Sequence, residues 1–251
     1  MNHKMNLQTL KEIANENITA IFDAFGLKYT DKYEYFQMKT IGDFKKQMTH
    51  ELYNMMLDAR FSEMQQDAKI PFIGASSGYS NFIGHCDAYS SSATAKENRI
   101  EESLETILKE NYRVLKYGFL ETEFKRAKEE MLNNYEVAAN EADKTESDKF
   151  ASDYIEHYLR QAPIPGAKRE FNFAKKYLQE ITLEEVNNLA KTWITKENLV
   201  AVVLAPQKDG IKIPTEAKVL EIINNPALEN VTPYVDTYKE QELVDVTKLV
   251  P

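Results

Sequence analysis

Residues 153–157 read Asp-Tyr-Ile-Glu-His, one residue short of the HxxEH pattern in which two imidazoles a helical turn apart hold zinc and the glutamate polarises water. Asp153 can in principle bind a metal through oxygen, with Glu156 as the base, but a catalytic zinc needs a third protein ligand. Nothing among the 40 acidic residues marks one out, so the residues favour an accident on an ordinary helix. A second run, His50-Glu-Leu-Tyr-Asn, resembles HExxH until Asn54, which cannot replace an imidazole. The other histidines are His3 and His85, and His85 precedes Cys86, the only cysteine. On a strand these neighbours point to opposite faces, so adjacency does not pair a thiol with its base. No Gly-x-Ser-x-Gly elbow or GxxxxGK phosphate loop occurs, and no two carboxylates are singled out for glycoside hydrolysis. The residues therefore assign no catalytic, cofactor-binding or metal-ligating group.

The elements that would position such groups can be read from periodicity. NITAIFDAF at 17–25 is strand-like, ended near Gly26. Ile41, Phe44, Met48, Leu52, Met55 and Ala59 then follow steps of three and four, which predicts a long helix to about Gln66 with a Met-rich core stripe. Residues 70–95, rich in Gly, Ser and Ala, predict two or three extended segments turning at Ser77-Gly78 and near Gly84, with small residues admitting another backbone. Amphipathic helices follow through Ile100–Leu115, stopped at Gly118, and through Phe124–Ala142. Thr145 with Asp148 predicts a capping box that restarts a helix until Pro163 and Pro165. Thr182 and Glu185 form a clearer one before Val186, Leu189, Ala190 and Trp193. LVAVVLA at 199–205 reads as a fully buried central strand. Strands, a run of helices and a late returning strand predict an α+β class, a mostly antiparallel sheet with helices packed on one face.

At 251 residues with 43% apolar side chains, the chain can fill a real core in one large domain or two small ones. Its net charge of -9 repels phosphate backbones and anionic lipid, which excludes nucleic acid and membrane surfaces as partners. A single cysteine rules out an internal disulfide framework, no apolar run reaches the roughly 20 residues of a membrane span, and the first ten residues lack the apolar stretch of a signal peptide.

Seven segments together carry a resemblance: LYNMMLDARFSEMQ (52–65), PFIGAS (71–76), GFLETEFKRAKEEMLNNYE (118–136), DKTESD (143–148), PIPGAKREF (163–171), ITLEEVNNLAKTWIT (181–195) and NLVAVVLAP (198–206). In their order and spacing they resemble the non-catalytic second domain of the pitrilysin/insulinase family of zinc peptidases, in its large bacterial form. The resemblance implies the fold of that family's metallohydrolase domains, with a lead-in at 1–16, the domain at 17–225 and, from PYVDTYKEQEL, a linker at 226–251 toward a following half.

It further implies a supporting role. In this family HxxEH and the distal glutamate belong to the first domain of four, so zinc is expected in the parent's catalytic domain and no cofactor in this chain, which is expected to be inactive alone. The expected partners are the adjoining catalytic and second-half domains and a peptide substrate, and similar large members are exported to the periplasm. An alternative is a stand-alone inactive subunit docking to a separate catalytic chain. Arg60 matches a family arginine that faces the peptide chamber, but Asp67 stands where the tyrosine partnering it would be. Leu120 replaces a helix-capping threonine, a loss of about 1 kcal/mol unless another group serves.

Overall fold

The computed structural model describes residues 38–83, 86–206 and 208–237. The strand expected at 17–25, the turn near Gly84, His3 and His85 lie outside them. Helix α1, Ile41–Met64, starts at a capping box: the Thr40 hydroxyl accepts from the Asp43 N–H at 3.1 Å, and the Asp43 carboxylate accepts from the Thr40 N–H at 2.8 Å. The buried stripe of α1 is Phe44, Met48, Leu52, Tyr53, Met56, Leu57, Arg60 and Phe61. It is rotated from the expected one, because a 3.6-residue repeat carries the face past exposed Ala59 onto Arg60 and Phe61.

Strands β1 (Phe72–Ile83) and β2 (Cys86–Ala95) pair antiparallel, with Tyr79 opposite Tyr89 and Ala75 opposite Ala93. No turn forms at Ser77-Gly78. β1 runs straight through, with Gly78 opposite Ser90 and the Asp58 carboxylate of α1 accepting the Ser77 N–H at 2.6 Å and its hydroxyl at 3.0 Å. A helix carboxylate holds this segment extended. A Cβ at Gly74 would meet nothing within 4 Å, so close backbone approach does not explain that residue.

Helices α2 (Ile100–Tyr117), α3 (Glu121–Asn140), α4 (Ser147–Arg160), α5 (Ala167–Tyr177), α6 (Leu183–Trp193) and α7 (Glu216–Ile223) complete the body. Both α1 and α2 pack on the hairpin, and α1 also contacts α3, α5 and α6. The core joins the α1 stripe to Phe72, Ile107, Val114, Phe119, Phe124, Met131, Leu178 and Val186. The α6 cap forms as read, with the Thr182 hydroxyl accepting from the Glu185 N–H and the Glu185 carboxylate from the Thr182 N–H. At α4 the cap differs: the N-cap is Glu146 without a side-chain bond, and the Asp148 carboxylate accepts from the Lys149 N–H instead.

Two further expectations change. Residues 200–206 form no strand, and Leu204 is 90% exposed. A strand exists only through its ladder, and the one sheet among the described residues is the β1–β2 hairpin. The architecture is thus mostly helical with a small antiparallel sheet, compatible with α+β. Residues 226–237, read as the start of a linker, pack on the body: Leu228 and Val231 are buried, and Tyr117, Arg113 and Lys116 donate to the carbonyls of Val231, Thr232 and Glu229.

Candidate functional site

Arg60 is buried to 2% exposure, beside Glu110 at 1% and Glu123 at 5%. Three elements converge on it because α1 turns it inward, α2 brings Glu110 and the first turn of α3 brings Glu123. The Arg60 guanidinium donates to Glu123 through Nε at 2.7 Å and Nη2 at 2.8 Å, to Glu110 through Nη1 at 3.0 Å, and to the Gly118 carbonyl at 3.2 Å. Arg113 supplies a second cation to Glu110. Burial works to lower the Arg60 pKa, but hydrogen bonding and charge from Glu123 and Glu110 outweigh it and raise the value above the ordinary one. The Tyr234 and Phe119 rings flank the guanidinium at 4.1 and 4.9 Å. Its fork of donors is taken up inside this chain by two carboxylates and a carbonyl, and the bidentate carboxylate of Glu123 matches the fork's geometry.

Glu123 explains the missing cap at Leu120. Its carboxylate accepts from the Leu120 N–H at 2.8 Å, closing the start of α3 while also holding Arg60. One residue thus joins a helix end to the ion-pair hub.

The HELYN run lies in an aromatic box. His50, 5% exposed, meets Tyr79 at 4.5 Å and Trp193 at 5.0 Å between ring centres. Trp193 is also stacked near-parallel with Tyr79 and Tyr89, at 4.8 and 5.1 Å. Burial pushes the His50 imidazole down to about 4, so it is neutral at pH 7. The Asn54 amide donates to the His50 carbonyl at 3.0 Å, an intrahelical bond rather than a metal contact. Periodicity gives no sign of this box, since its members come from α1, both strands and α6.

On α4 the DYIEH residues are engaged locally. Asp153 pairs with Lys149 at 2.5 Å, and His157 Nδ1 lies 2.7 Å from the Ala162 carbonyl. Among the described residues no three His, Cys, Asp or Glu are grouped to hold a metal ion. These donors do not fit zinc. A cleft of 410 Å³ lies between Tyr112, Leu115, Lys116, Ile194, Lys196 and Glu229. It gathers no nucleophile with a base. Among the described residues no helix is long and apolar enough to cross a membrane.

No protein-family profile matches the sequence, and no curated protein matches it. Solved structures do match in fold. The periplasmic protease PqqL from Escherichia coli aligns over 92% of this chain and 30% of its own, with a TM-score of 0.65 at 13% identity. A predicted insulinase-family protease from Yersinia pestis aligns over 78% of this chain and 42% of its own, with a TM-score of 0.64 at 12% identity. A mutant of the ferredoxin protease FusC, in complex with Arabidopsis ferredoxin, aligns over 84% and 23%, with a TM-score of 0.59 at 15% identity. The chain thus spans less than half the length of each, and it shares its fold with segments of these proteases, one of them of the insulinase family.

Proposed function

We propose that this chain serves as a non-catalytic domain of a zinc metallopeptidase of the pitrilysin/insulinase type, supporting a catalytic domain and helping to form the chamber for a peptide substrate. The observation that carries this reading is the pairing of scales in the PqqL match, where almost the whole chain, 92%, corresponds to only 30% of a protease. The side chains agree in kind. The groups nearest to a zinc motif are tied to Lys149 and the Ala162 carbonyl, and Arg60 is buried in the core. What this domain contributes is a rigid body: Arg60, Glu110 and Glu123 fix α1, α2 and α3 against one another. An exported location follows from the same reading, supported by the periplasmic description of PqqL.

The test is metal analysis and peptide cleavage on the purified chain. Zinc well below one equivalent and no cleavage of unstructured peptides are expected. Stoichiometric zinc, lost together with hydrolysis in His157→Ala, would overturn the reading.

A further inference from the structure

None of residues 147–159 of helix α4 is buried, yet half of its circumference is apolar. Phe150, Tyr154, Ile155, Tyr158 and Leu159 recur at helical spacing, and Tyr158 is 82% exposed. The polar half leans the other way. Asp153 is half-buried in its pair with Lys149, and both are close enough to Glu170 of α5 to act on its carboxyl in opposite directions. The apolar stripe is thus open to solvent, and Asp153 is the one half-buried residue among the described side chains of the helix.

We infer that this face is a self-association surface, occupied by α4 of a second copy of the chain. Five residues at these exposures leave roughly 600 Å² uncovered, the upper end of what a monomer exposes in one patch. Two such faces reach about 1,200 Å², the lower bound of a specific stable interface. Shape favours an identical partner. In an antiparallel pair whose two-fold axis lies between Tyr154 and Ile155, residue 151 of one copy meets residue 158 of the other, at the middle of the stripe. Ala151 is the smallest side chain of the stripe and Tyr158 the most exposed, so a knob meets a hole twice. Phe150 likewise meets Leu159, while Lys149 and Asp153 lie on the opposite side of the helix from the stripe. The inference does not depend on the proposed function, because it uses only α4.

Sedimentation of the purified chain over about 1–200 µM tests it, since interfaces at this lower size limit belong to weak complexes. A monomer–dimer equilibrium with micromolar midpoint is expected. Tyr158→Glu should weaken it at least tenfold with helicity and urea midpoint unchanged, because Tyr158 is 82% exposed in its own chain. In a Cys86→Ser background, mixing Ala151→Cys chains with Tyr158→Cys chains should give a cross-linked heterodimer, whereas Ala151→Cys chains alone should not cross-link. A monomer throughout the range, a dimer indifferent to Tyr158→Glu, or cross-linking without this register would each overturn it.

Discussion

Arg60 shows how one side chain can tie three helices together. Its place on α1 is legible from periodicity, but its two carboxylates lie 50 and 63 residues away, a relation that no local spacing reveals. Removing it strands Glu110 and Glu123 inside the protein, and an uncompensated buried charge is worth about 3–5 kcal/mol. Arg60→Ala should therefore lower the urea midpoint by that amount, and Arg60→Lys should recover only part, because an ammonium cannot reproduce the fork of bonds. His50 gives a prediction in pH. Burial lowers its folded value from 6.5 to about 4, so between these values the unfolded chain binds more protons and stability rises with pH. The contribution is complete above about 6.5 and is lost as pH falls toward 4, roughly 3 kcal/mol in all. Asp58 and Glu51, both raised by burial, act in the opposite sense. They persist in His50→Phe, so the difference between the two stability–pH curves isolates the imidazole. A flat difference across that window would refute its buried neutral state.

At the scale of elements, what the sequence discloses is what depends on neighbours along the chain. Helices α1, α2, α3 and α6 are readable because capping and 3.6-residue periodicity are local, and the Thr182 box is written in four consecutive residues. Thr182→Ala should lower stability by about 1 kcal/mol, measured by urea unfolding. The expected stop at Gly118 is likewise correct, though for two reasons of which only one is local. Its φ of +72° disfavours any side chain, and a Cβ there would lie 2.7 Å from Asn187 Nδ2 on α6. Asn187 also accepts the Phe119 N–H at 2.8 Å, so it cannot simply move aside. Gly118→Ala should lower stability by about 1–3 kcal/mol, the range for a strained backbone position. An unchanged urea midpoint would show that this junction yields. The stretch at 199–205 departs from its expected strand for the complementary reason: seven apolar residues specify burial and extension, but a strand also needs a ladder, and among the described residues none pairs with it.

For the whole molecule, the least legible feature is where the body ends. After Pro226 the apolar period disappears, which suggests a linker, yet the segment is fastened to three elements by contacts that periodicity cannot express. Leu228 and Val231 enter the core margin, and the Tyr234 ring covers Arg60. Tyr234 and Thr237 donate to Glu63 on α1, while Asp236 accepts from Thr122 and Arg126 on α3. Carbonyls of 229–232 take bonds from α2. This strap closes the outer side of the ion-pair hub, so its loss admits water to Arg60 and its carboxylates as well as removing apolar contacts. Burying Leu228 and Val231 is worth about 1.5–3 kcal/mol each, which for a domain of marginal stability is a large share of the total. A chain ending at residue 225 should therefore unfold at much lower urea than one ending at 237. Equal midpoints for 225 and 237 would mean that the strap rests on the body without stabilising it, and that the hub is sealed by α1, α2 and α3 alone.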